Sequence, residues 1–87
     1  MALIEFYGKE CPHCENMKPL VERVKKEEGD EIRSLEVWHD EANAAEMAKY
    51  DKGNCGGVPY FHDTESGRFI CGETGYAEFK KWAKGEK

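Results

Sequence analysis

Residues 2–14 read Ala2-Leu3-Ile4-Glu5-Phe6-Tyr7-Gly8-Lys9-Glu10-Cys11-Pro12-His13-Cys14, and the rest of the fold follows from how this stretch is read. Ala2 to Tyr7 is a short apolar and aromatic run ended by Gly8 and interrupted by one acid, Glu5, the pattern of a buried strand. From Pro12 to about Glu28, Met17, Leu20, Val21 and Val24 recur at helical spacing. Glu15, Lys18, Glu22, Lys25 and Lys26 fall mostly off that stripe, and Gly29 offers a stop. A Cys-x-x-Cys pair therefore stands where a strand hands over to an amphipathic helix. Pro12 suits the first helical position because it lacks the N–H that would be unpaired there.

Further along, Ile32 to Trp38 alternates as a second strand, and Asp40 can cap a helix carrying Ala44, Met47 and Ala48 on one face. Gly53-Asn54-Cys55-Gly56-Gly57 breaks that helix. Val58 to His62 and Arg68 to Cys71 flank a turn at Asp63-Thr64-Glu65-Ser66-Gly67 and read as a hairpin. Thr74 is placed to cap a last helix with Tyr76, Phe79 and Trp82 or Ala83 inward. The strand-helix-strand start needs a crossover and hence parallel pairing, whereas the hairpin adds antiparallel strands. The expected architecture is α/β, in the order βαβαββα, with a mixed four-stranded sheet flanked by three helices. Phe6, Tyr7, Phe61, Phe69, Phe79 and Trp82 are assigned to the core, Tyr60 to the surface near the cysteines, and His39 and His62 to the solvent.

The chain has 87 residues, room for one domain spanning 1–87. Its 13 basic and 18 acidic residues give a formal charge of -5, which disfavours phosphate backbones and anionic lipid surfaces. No apolar run approaches a membrane span, so neither nucleic acid nor a membrane is an expected partner. Met1-Ala2-Leu3-Ile4 reaches Glu5 without a charged leader or a signal-type apolar core, so a cytoplasmic monomer is expected. Lys84 to Lys87 is a charged end expected to fray. The sequence holds 4 cysteines, too few for a disulfide scaffold, and only Cys11 and Cys14 are closely spaced; reactivity or metal binding explains them better than stapling.

Two such cysteines at a helix start can close a small disulfide, and the free N–H groups of the helix end stabilise the first sulfur as thiolate. Cys11 is thus the expected nucleophile. Cys14, one turn inside the helix, is placed to attack the mixed disulfide formed at Cys11. His13 adds a titratable positive charge beside the sulfur. The competing reading is a zinc knuckle using Cys11 and Cys14 with other thiols, since Cys-Pro-x-Cys also occurs in zinc ribbons. Against it, Cys55 and Cys71 make no second close pair, and no metal site is assigned. Cys71 is read either as a small core hydrophobe or as a third redox-active thiol. Cys55 lies in a glycine-rich loop near Pro59, and a bond between the two is open without geometry.

The apolar strand before the motif, Cys11-Pro12-His13-Cys14 itself, Pro19 in the same helix and Val58-Pro59 opening a later strand, taken in that order, resemble the thioredoxin superfamily over nearly the whole chain. The resemblance implies a dithiol-disulfide oxidoreductase with the minimal thioredoxin fold. It implies that Pro19 kinks the active-site helix and that Pro59 is cis and faces the dithiol, with Val58 backbone groups pairing to an extended substrate; an ordinary edge-strand proline is the alternative. It gives Glu5 the role of a buried carboxylate that exchanges protons with Cys14, the alternative being a strand-edge acid turned to solvent. Here the family's usual Asp is Glu, and the position of the partnering lysine is matched to Glu36.

The direct opening on the motif strand looks like glutaredoxin, and Glu10 replaces the tryptophan that thioredoxins place before the first cysteine. The Pro12-His13 dipeptide is similar to that of the DsbA-like oxidases, whose inserted helical domain is absent. For glutathione, Cys71-Gly72-Glu73-Thr74-Gly75 keeps one glycine of the glutaredoxin pattern and lacks its aspartates. Gly72, Glu73 and Thr74 are the candidate contacts. Lys9 could meet a glutathione carboxylate or simply be a solvated lysine. The implied partners are disulfide-containing proteins or glutathione, together with a glutathione- or thioredoxin-type reductase; no bound cofactor is expected.

Overall fold

In the computed structural model, residues 3–29, 31–53 and 55–85 are described. The elements are β1 (Leu3–Tyr7), α1 (Pro12–Glu28), β2 (Ile32–Glu36), α2 (Glu41–Asp51), β3 (Tyr60–Asp63), β4 (Phe69–Cys71) and α3 (Tyr76–Ala83). The expected beginning of the first strand at Ala2, the loop residue Asn54 and the fraying end at Glu86 and Lys87 lie outside the described residues. No described helix is long and apolar enough to cross a membrane.

The sheet has 4 strands in the order β2-β1-β3-β4. β1 pairs parallel with β2, setting Leu3 beside Ile32 and Glu5 beside Ser34, and antiparallel with β3, setting Glu5 beside Phe61. β4 pairs with β3, Tyr60 standing opposite Cys71, and is the edge of the described sheet. This is the mixed sheet and three-helix arrangement that the sequence implies. With β1 in the interior, Glu5 has no sheet edge from which to reach water.

Alternation along β1 divides the core between the two faces. Leu3 packs with Met17, Val21 and Val24 of α1, Ile32 of β2, Phe61 of β3 and Phe79, Trp82 and Ala83 of α3. Ile4 and Phe6 turn the other way, onto Met47 of α2 and Tyr60. Phe61 is fully buried, its ring 4.9 Å from Phe79 at 68° and 5.7 Å from Trp82 at 60°. Such edge-to-face contacts add to the burial energy. Phe61→Ala is therefore expected to cost about 3–5 kcal/mol in a urea titration; a loss under ~1 kcal/mol would show that the cluster closes over the gap.

Local signals explain the helix ends. Asp40 Oδ1 accepts the Asn43 N–H at 3.0 Å, as expected of a cap, and Gly29 ends α1 in the left-handed region at φ 70. Thr74 does not cap α3. The N-cap is Gly75, with no side-chain hydrogen bond, and the Thr74 N–H points to Met17 Sδ at 3.5 Å. The surface assignments need four corrections. Phe69 is 50% exposed because the edge strand turns it off the core, and Tyr7 is only half-buried at the end of its strand. Tyr60 and His62 are both buried, their Oη and Nδ1 sharing a hydrogen bond at 2.9 Å, and His62 stacks 4.7 Å from Tyr50. His39 is exposed, its Nε2 2.7 Å from Glu10.

Candidate functional site

Cys11 is the N-cap of α1, in extended backbone at φ -81 and ψ 115. Its Sγ accepts the Cys14 N–H at 3.3 Å, doing for the helix start what a Ser or Asp oxygen does elsewhere. Its own N–H is bonded to Gly8 O at 3.1 Å, which closes the turn between β1 and the helix. On the outer side the thiol points to Val58 O at 3.8 Å. Cys11 and Cys14 are free thiols.

Both are buried, at 3% and 4% exposure. Exposure therefore does not separate the two thiols, since the loop ahead of β3 covers Cys11; what differs is their hydrogen bonding and surroundings. Burial pushes the Cys14 thiol up to about 12, and the hydrogen bond with Cys11 and the Glu5 charge add to the effect, against a backbone hydrogen bond with Gly8.

Beneath the motif lies a cavity of about 480 Å³ lined by Glu5, Cys14, Lys18, Glu22, Ser34 and Lys9, among others. Glu5 is 5% exposed, which decides between its two readings in favour of burial. Alternation turns it to the same face as Leu3, under α1. Burial raises its pKa above the usual carboxylate value, while the Ser34 hydroxyl, donating to Glu5 Oε1 at 2.7 Å, works against the rise. Matching Glu36 to the family's partnering lysine is also corrected, because the register sets Ser34 beside Glu5 and Glu36 beside Tyr7. Glu36 instead closes the neighbouring loop, accepting the N–H groups of Lys9, Trp38 and His39 at 2.9, 3.2 and 2.8 Å. Gly8 stands so close to the Trp38 ring that a Cβ there would collide with it.

The second wall of the site is built from the β3 and β4 ends. The Val58–Pro59 peptide is cis. The Gly72 N–H donates to Pro59 O at 2.8 Å, with Gly72 at φ 90, a conformation suited to glycine. Next to it, Glu73 reaches α1: its Oε1 lies 2.9 Å from His13 Nδ1 and accepts from Asn16 Nδ2 at 3.3 Å. His13 is 69% exposed and aimed at Glu73. Cys55 and Cys71 are joined as a disulfide with Cα atoms 5.5 Å apart. Cys71 is exposed, so its core reading is corrected: it ends the edge strand.

The site thus brings Cys11, Pro12, His13, Cys14, Val58, Pro59, Gly72 and Glu73 together at one end of the sheet, with Glu5 and Lys9 on the cavity below. Sequence reasoning missed Ser34 and the Glu73–His13 pair, and left the Cys55–Cys71 bond open. Ser34 follows from strand register alone; the other two join residues far apart in the chain, whose pairing sequence spacing does not decide. Among the described residues, no group of three or more His, Cys, Asp or Glu is arranged to hold a metal ion.

A dithiol at a helix start, backed by a buried carboxylate and faced by an X-Pro loop, is an arrangement for thiol-disulfide exchange. A comparison with curated proteins finds no match. The family model described as Thioredoxin matches residues 1–81, and with it the chain belongs to the thioredoxin family of thiol-disulfide oxidoreductases.

Proposed function

We propose that this protein is a cytoplasmic, monomeric dithiol reductant that exchanges the Cys11–Cys14 pair with the disulfides of proteins or of glutathione, without a resident cofactor. The observation carrying the reading is the inequality of the two thiols: Cys11 Sγ accepts the helix-start N–H of Cys14, whereas the Cys14 thiol is pushed up to about 12. Pairing of Cys55 with Cys71 weighs against the zinc alternative, because it removes the further thiols that reading requires.

In the proposed cycle the Cys11 thiolate attacks one sulfur of the substrate, whose other sulfur leaves as a thiolate. Cys14 then passes its proton to Glu5 across the shared cavity, and its thiolate attacks Cys11 Sγ. The substrate's second sulfur leaves, and the Cys11–Cys14 disulfide closes. Two electrons have moved from the dithiol to the substrate. An extended substrate would lie against Val58 and Pro59, its backbone pairing with Val58 as an added strand. Gly72, Glu73 and Thr74 flank that path, and Lys9 offers a cation to a glutathione carboxylate.

The donor is tested by turnover with glutathione, glutathione reductase and NADPH, compared with thioredoxin reductase and NADPH. Activity is expected in at least one system, through whichever reductant regenerates the dithiol. Silence in both, with the protein folded and its disulfide reducible by dithiothreitol, would overturn the role of reductant.

A further inference from the structure

Cys55 and Cys71 stand on the two segments that form the second wall of the site. The Asp51 carboxylate, at the end of α2, accepts the N–H groups of Cys55 at 2.6 Å and Gly56 at 2.9 Å, and Val58 and Pro59 follow directly. Cys71 ends β4, a three-residue edge strand whose only partner among the described strands is β3. Beyond it come Gly72, bonded to Pro59, and Glu73, bonded to His13 and Asn16 of the active-site helix. The disulfide therefore clasps the loop that faces Cys11 to the segment that holds His13. Cys71 is exposed and Cys55 partly so, leaving the bond open to a thiol from solution.

From this placement we infer that Cys55–Cys71 is a second redox site, reduced by dithiols or glutathione, and that its state is read at Cys11 through Glu73. This rests on the proposed exchange chemistry of Cys11–Cys14. In the reduction, a donor thiolate attacks the Cys71 sulfur and the Cys55 sulfur leaves as a thiolate. A second donor thiol then displaces Cys71, so that the pair gains two electrons and two protons while the donor becomes a disulfide. Opening the clasp frees the short edge strand at its end and with it Glu73. When that carboxylate swings away, a negative charge leaves the helix start that carries Cys11, so the Cys11 thiolate is favoured and the dithiol form gains.

The test has two arms. In Cys11→Ser/Cys14→Ser protein, the remaining pair is equilibrated across a glutathione redox buffer, with thiols counted by mass spectrometry and folding followed by circular dichroism. A reversible two-electron titration of the folded chain is expected; reduction only upon unfolding would overturn the second site. In the other arm, the glutathione exchange constant of Cys11–Cys14 is measured in the wild-type molecules whose Cys55–Cys71 bond mass spectrometry shows intact, in Cys55→Ser/Cys71→Ser, in Glu73→Gln and in the triple variant. Expected is a shift of about threefold toward the dithiol in each, with the triple variant going no further than the larger of the other two shifts. An unchanged constant in Cys55→Ser/Cys71→Ser, or shifts that simply add, would overturn the coupling; Glu73→Gln, at an exposed position, keeps this arm readable if the serine pair unfolds the chain. Failure of wild-type Cys11–Cys14 to exchange at all would overturn the proposed function and the coupling with it, while the first arm, lacking those cysteines, still decides whether Cys55–Cys71 is redox-active.

Discussion

Cys14→Ser is expected to accumulate a mixed disulfide with its substrate, and Cys11→Ser to trap nothing while losing turnover on the order of 10³-fold or more. Exposure does not produce this difference, since the two residues are almost equally buried. The helix start does. Cys11 Sγ takes a backbone N–H where the α1 dipole favours negative charge, whereas burial pushes the Cys14 thiol up to about 12, so that it keeps its proton at neutral pH. A sulfur so rarely ionised is a poor first nucleophile. It becomes useful only when a mixed disulfide is already held beside it. Non-reducing electrophoresis with mass spectrometry of the linked peptide checks the assignment; a conjugate through Cys14 in the Cys11→Ser protein would reverse it.

Local chemistry was legible in the residues. The α1 limits, the Asp40 cap, the Gly29 stop and the strand-helix junction at the dithiol all follow from patterns within one element, where each residue's neighbours in sequence are also its neighbours in space. Errors arose where partners came from distant elements. Thr74 has the right chemistry for a cap, but Gly75 takes that place and the Thr74 amide turns to Met17. His62 looked like a surface polar group because Tyr60 and Tyr50, which bury it, reach it by alternation along one strand and by the packing of α2 on the sheet. Phe69 failed in the opposite sense, since an edge strand exposes what a central one would cover. The candidate site shows the same division. The dithiol and Pro59 stand out in the sequence, whereas the Ser34 contact to Glu5 depends on β1–β2 register and the Cys55–Cys71 bond on a closure across 16 residues.

Glu5→Gln should stabilise the folded chain at neutral pH by about 1–3 kcal/mol, the range for a buried polar group poorly compensated, and slow release of the trapped substrate on the order of 10²-fold. Glutamine keeps an oxygen to accept the Ser34 hydroxyl and removes only the ionisable proton. Glu5 is raised chiefly by burial; Ser34, Lys25 and Lys18 oppose the rise and Glu22 adds to it. Between the ordinary carboxylate value and the raised native one, the folded state binds the proton more tightly than the unfolded chain. Stability therefore falls as the pH climbs through that window, and above it the whole penalty of the buried carboxylate persists. Urea titrations at a series of pH values should show wild type and variant nearly equal in acid and diverging as the pH rises. In the proposed cycle the same carboxylate, facing Cys14 across the cavity, is the proton acceptor, which sets stability against rate: the group that costs stability would be the one that lets the second thiol ionise. Release of a pre-formed mixed disulfide, followed in a single turnover, should be slowed in Glu5→Gln and regain rate as the pH approaches the range of the Cys14 thiol. A variant with the wild-type stability profile would mean that Glu5 holds its proton no more tightly in the folded chain than in the unfolded one, and a variant with the wild-type release rate would show that the Cys14 proton leaves by another route.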